Sequence, residues 1–178
     1  MSESNPSKAD EKRRQALELL AEGARLLRSQ RPEEALPPLE RAFELAPHEP
    51  DIAVTLGGAL VMGHQWSKAV AFLEDAVDRH PDNALLWINL AAAYLGVLEL
   101  SSRKRQDQAI AAFERAIEID PVAPSAHYNI ALIYAERRDW EKAAHWFQAA
   151  LRANPNDRDA AVWLKRARQM AAQPEDND

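Results

Sequence analysis

The sequence of 178 residues contains no cysteine, which excludes together a disulfide framework, a thiolate metal site and a cysteine nucleophile. Glycine is scarce, with five residues in all. The richest stretch, GGALVMGH, lacks the Lys-Ser/Thr pair that a phosphate-cradling P-loop requires. Long apolar runs are missing too: an uncharged stretch such as Ile52 to Trp66 is too short to span a bilayer. The N-terminal MSESNPSKADEKRR carries charge but no apolar segment of the kind a secretory signal needs. No membrane span and a cytoplasmic, soluble chain are therefore expected. A basic excess is also absent. The net charge of −6 and a pI near 5.4 argue against a general binder of nucleic acid or anionic membrane.

What is present is a core-forming fraction, 47% apolar residues, arranged with a period of 34 residues that is interrupted once. Four segments each carry an alanine, a second alanine seven residues on, and a proline five residues after that. They are Ala35, Ala42 and Pro47; Ala69, Ala76 and Pro81; Ala109, Ala116 and Pro121; Ala143, Ala150 and Pro155. A large apolar residue, Leu39, Leu73, Phe113 or Phe147, follows the first alanine by four. Upstream stands a small residue, Gly23, Gly57, Ala91 or Ala131, and three residues beyond it Leu26, Leu60, Tyr94 or Tyr134. Steps of three, four and seven are helical spacing, so each unit reads as a first helix (A) and a second (B), the latter ended by the proline. Small residues belong where helices cross closely. No strand alternation occurs, and the predicted fold class is all-α.

These residues resemble the tetratricopeptide repeat family, whose pattern W-x-x-L-G-x-x-Y, A-x-x-x-F, A and P is matched most fully by Trp87, Leu90, Ala91, Tyr94, Ala109, Phe113, Ala116 and Pro121. The resemblance implies a right-handed α-α superhelix of four helix-turn-helix repeats, residues 16–49, 50–83, 84–123 and 124–157, with a capping helix at 158–172. The whole repeat domain would span 13–172, between a disordered tail at 1–12 and an acidic tail at 173–178. Departures are Glu22 in place of a large apolar residue, His127 in place of an aromatic, and Pro37 and Pro38 inside the first helix B, which is expected to start late or kink there.

In this family the A helices line a concave face. Mapped onto this chain, the face comprises Leu20, Ala24 and Leu27; Val54, Thr55, Gly58 and Val61; Ile88, Asn89, Ala92 and Leu95; and Tyr128, Asn129 and Leu132, with Trp163 at its C-terminal end. A solvated face should be charged, and this one is mostly apolar. Exposed apolar patches of that kind mark interaction sites. An apolar peptide or amphipathic helix as partner, cover by the chain's own N-terminal segment, and closure by a second copy in a homo-oligomer all satisfy it. Asn89 and Asn129 are equivalent in successive repeats and either hold a ligand's main chain or cap helices internally. The Lys and Arg clamp by which some relatives dock acidic chaperone tails has no counterpart at Leu20, Ala24, Thr55, Leu85 and Asn89.

No catalytic residues, cofactor or metal site are indicated, and an enzyme is not expected. His127 and His145 would have to meet across the fourth hairpin to bind a metal, and one helix-face and one solvated histidine is the simpler reading. Trp66, Trp87 and Trp140 read as packing residues. One irregularity remains. In the second and fourth units 12 residues separate the small helix A residue from the first alanine of helix B, whereas Ala91 and Ala109 are 18 apart. Six extra residues therefore fall in GVLELSSRKRQDQA. Leu95 and Leu98 are expected to continue helix A, Ser101 or Ser102 to cap helix B, and the three cations in its first turn to fray the tip. Either this insertion is neutral, or Leu98, Leu100, Arg103, Lys104 and Arg105 form a secondary contact. Nucleic acid is not the expected partner.

Overall fold

A computed structural model describes residues 7–173, apart from the side chain of Pro124. Most of the expected acidic tail and the first six residues of the expected N-terminal tail lie outside that range. The described residues form nine α-helices and one short 3-10 turn, with no strand. They divide into two compact units, Met1–His80 and Pro81–Asp178.

The first unit holds α1 (Lys8–Arg28), α2 (Pro32–Leu45), α3 (Pro50–Met62) and α4 (Trp66–Arg79). Each packs on the next, and α1 also touches α3. The second unit holds α5 (Ala84–Leu95), a 3-10 turn (Leu98–Leu100), α6 (Arg103–Ile119), α7 (Pro124–Glu136), α8 (Trp140–Ala153) and α9 (Arg158–Ala171), again packed in sequence.

The packing follows the repeat signature. All eight alanines of the two-alanine pattern are buried, as are Leu39, Leu73, Phe113 and Phe147 between them. Complete burial of one such phenylalanine contributes on the order of 2–3 kcal/mol. The small helix A residues admit these side chains: a Cβ on Gly23 or Gly57 would run into Leu39 or Leu73.

Helix ends are set by recurring devices. Asn83 caps α5 and Asp157 caps α9, each accepting from backbone N–H groups of its helix. Where the equivalent residue is Glu49 or Ala123, proline opens the helix instead. The turns after α1, α3 and α7 share one form. The N–H groups of Arg31, Gln65 and Asp139 donate to the carbonyls of Leu26, Leu60 and Tyr134, and Gln30, His64 and Arg138 adopt positive φ of 57°, 55° and 59°.

Three expectations are corrected. Helix α1 starts at Lys8, inside the span assigned to a disordered tail, because Ser7 and Asp10 form a capping box. Helix α2 does not start late: it runs from Pro32 through Pro37 and Pro38 to Leu45. The carbonyls deprived of donors by the two prolines belong to Glu33 and Glu34, both exposed to water. The insertion does not lengthen helix A, because Gly96 takes φ 55° and ψ −113° and ends α5 at Leu95. Leu98 lies in the 3-10 turn, and Ser102 caps an α6 of 17 residues, three more than α2, α4 or α8. The added turn of helix is about 4.5 Å long.

Candidate binding faces

Each unit presents its own helix A surface. In the first, α3 carries a single charged residue, Asp51. In the second, α5 carries none. Both are nevertheless partly open to water. Val54, Thr55, Gly58 and Val61 on α3 are half-buried, as are Ile88, Asn89, Ala92 and Leu95 on α5. Leu20, Ala24 and Leu27 on α1 and Tyr128, Asn129 and Leu132 on α7 are half-buried too. Every residue assigned to this face from the sequence is therefore accessible at the surface of its unit, and none belongs to the sealed core.

The polar groups on these faces are held locally. Thr55 Oγ1 donates to the Asp51 carbonyl at 2.7 Å, and Asn129 Nδ2 donates to the Ser125 carbonyl at 2.8 Å, each one turn back on its own helix. Asn129 thus spends one of its two amide hydrogens on its own helix, and its carbonyl oxygen can accept from a ligand. Burial pushes the Tyr128 hydroxyl pKa up, and the Asp159 and Asp157 carboxylates add to the effect. Tyr128 is thus a neutral donor beside an apolar surface.

Trp163 is half-buried like the helix A residues of the face. Its ring stacks on buried Phe147, with centroids 5.9 Å apart and planes 13° apart, while Tyr128 meets the same phenylalanine edge-on at 5.5 Å. Trp163 is a packing group of the α8–α9 interface. The exposed large apolar residue of α9 is its neighbour Val162, 68% accessible, at the repeat position of Val54, Ile88 and Tyr128. Leu85 is likewise open, 57% accessible, at the position of Leu17. Val162 was not assigned to the face from the sequence and Leu85 entered only as a position of the missing cationic clamp, although extending the repeat register by one unit and by one column would have found both.

The histidines do not converge. His127 is buried and His145 exposed, and Trp146 lies between them, 5.9 Å from the first ring and 5.8 Å from the second. Among the described residues no group of three His, Asp or Glu side chains is arranged to hold a metal ion, and no helix is long and apolar enough to cross a membrane. The expected frayed tip is also corrected. Gln106 is buried at the start of α6, donates to the Ser101 carbonyl, and accepts from Arg137 Nε at 2.7 Å. Arg137, whose side chain is only 9% exposed, also pairs with Asp107 at 2.6 Å and reaches the Arg103 carbonyl. This network ties the insertion to the end of α7.

Two sequence models, both describing the tetratricopeptide repeat, match residues 26–94 and 95–158. The chain belongs to the tetratricopeptide repeat family. As a tetratricopeptide repeat protein it falls among modules of protein–protein interaction. It is 26% identical over 113 residues to the peroxisomal targeting signal receptor of Saccharomyces cerevisiae, a stretch covering 64% of this chain and 18% of that receptor. The chain therefore spans less than a fifth of that relative. The fold is shared with MamA (41-end) from Desulfovibrio magneticus RS-1, with a TM-score of 0.67, 20% identity, and coverage of 88% of this chain and 91% of the other. It is also shared with the first tetratricopeptide domain of Spaghetti (RPAP3) bound to the HSP90 peptide SRMEEVD. There the TM-score is 0.61 at 18% identity, covering 70% of this chain and 94% of the other.

Proposed function

We propose that this tetratricopeptide repeat protein is a non-enzymatic adaptor or assembly factor that holds an apolar peptide or an amphipathic helix against its helix A faces. The observation that carries this reading is helix α5: it has no charged residue, yet Leu85 is exposed and Ile88, Asn89, Ala92 and Leu95 are half-exposed. A face kept for water alone would carry charge at such positions. A partner helix reading i, i+3, i+4 and i+7 matches their spacing. The receptor resemblance and the peptide-bound neighbour support a peptide as the occupant. The absence of cations at Leu20, Ala24, Thr55, Leu85 and Asn89 favours an apolar ligand there over an acidic tail.

Affinity capture from native lysate, followed by direct titration of the captured partner, tests this. Val54→Ser, Ile88→Ser and Leu132→Ser together should abolish capture while far-UV circular dichroism stays helical. Undiminished capture by the triple variant refutes the reading. A second reading, a homo-oligomer assembling through repeat ends or faces, draws on Val162, which leaves an apolar side chain open on the last described helix. Light scattering that shows a monomer throughout the micromolar range removes it.

A further inference from the structure

The entry to α6 departs from local preference in two ways. Arg103, Lys104 and Arg105 occupy its first turn with no acidic residue in that turn, where the helix dipole favours carboxylates and disfavours cations by roughly 0.3–1 kcal/mol each. Two residues before the cap, Leu100 is 84% exposed, and Val97 is 48% exposed. Arg103, Lys104 and Arg105 form no salt bridge among the described residues. A neutral insertion would be free to lose them. This one is instead held rigidly, through Gln106 and Arg137, against the turn between α7 and α8. Local rules are most often broken at functional sites.

That second turn adds to the same charge. Arg138 is exposed, bears no salt bridge among the described residues, and sits at a positive φ of 59°. Arg103 is near enough to Asp139 and Lys142 for its charge to act on both carboxyl and amine. In an acidic protein with a net charge of −6, the hydrogen bond from Arg137 to the Arg103 carbonyl joins the cationic insertion to this turn, and the open side chains of Val97 and Leu100 lie a few residues before Arg103 in the chain.

We propose that this end of the second unit docks an acidic peptide that carries an apolar residue, its carboxylates meeting Arg103, Lys104 and Arg138 and its apolar side chain resting on Val97 and Leu100. Peptide is favoured over nucleic acid by the surroundings. The two tyrosine rings here already carry cations, Tyr94 that of Arg105 at 5.6 Å and Tyr134 those of Arg137 and Lys142, which disfavours stacking of bases on them. Asp107 and Asp139 are interspersed with the cations and oppose a uniform polyanion. The site is separate from the helix A faces, and it stands or falls independently of what they bind.

The test titrates the full chain, by fluorescence anisotropy, with a labelled peptide of alternating Glu and Leu, with single-stranded oligothymidylate, and with phosphatidylserine vesicles. The peptide should bind at low salt and lose its affinity as salt rises. Arg103→Glu with Lys104→Glu should weaken it by about tenfold or more, and Leu100→Ser by several-fold. The two glutamates improve the match to the α6 dipole, so the double variant should fold at least as stably as the parent, which a urea titration checks. No peptide binding, equal binding by the double variant, or tighter binding of oligothymidylate or vesicles overturns the proposal. So does binding that arises only after residues 174–178 are deleted, since the occupant is then the chain's own acidic end.

Discussion

His127 stands where the third repeat has Trp87, and the exchange places a titratable ring in a core position. It is buried, and its Nδ1 finds no hydrogen-bond partner among the described residues. Burial lowers its pKa below the ordinary 6.5, the Ala123 carbonyl opposes that shift, and the Arg152 cation reinforces it. In the unfolded chain the ring titrates near 6.5, so just below that pH the unfolded state binds more protons than the folded one. The stability involved is complete above 6.5 and is lost as pH falls from there toward the lower folded value. The urea midpoint should therefore drop on acidification through this window, and His127→Phe should remove part of that drop. An identical pH dependence in both proteins would show that His127 is not its source. The sequence marked His127 as a departure from the aromatic pattern. Its burial against Trp146 was not legible, because it depends on a ring from a B helix reaching across.

At the scale of the helix, Gly23 sets propensity against fit. Replacing a mid-helix glycine by alanine ordinarily stabilises by roughly 0.5–1 kcal/mol. Here the added methyl would meet Cγ and Cδ2 of Leu39, which is fully buried and has no room to retreat. Overpacking of that kind costs about 1–3 kcal/mol, so Gly23→Ala should be net destabilising by about 1–2 kcal/mol in urea titration. A gain in stability would mean that the α1–α2 crossing can open. The close crossing was readable from the recurrence of small residues at Gly23, Gly57, Ala91 and Ala131. The form of the insertion was not. Its length followed from one irregular spacing, but Leu95 and Leu98 continue an apolar step of three, and that step hid the stop at Gly96. A glycine able to take positive φ just past a helix end outweighed one more apolar match. The order of the tip was hidden as well, since it depends on Arg137, 31 residues from Gln106 in sequence.

For the molecule as a whole, stability and the two proposed contacts should respond differently to salt. Folding rests on apolar burial: the alanine and Leu/Phe columns are sealed in both units. The ion pairs that accompany them, such as Arg41 with Glu44 and Arg115 with Glu118, are largely exposed, and exposed pairs contribute about 0–1 kcal/mol each. Raising sodium chloride from low to near-molar concentration shortens the screening length from about 30 Å to about 3 Å. The thermal midpoint should then move by no more than about 2–4 °C, the equivalent of roughly 1 kcal/mol for a chain of this size. Capture by the helix A faces should survive the same change, since α5 offers no charge to screen. Binding at the α6 entry should disappear, because Arg103, Lys104 and Arg138 act through solvent-exposed charge. Calorimetry and anisotropy over one salt series separate the three. A midpoint that falls in step with peptide binding would mean that the cations hold the fold rather than a partner. A stable fold that keeps its apolar partner and sheds the acidic peptide is the result the two faces predict.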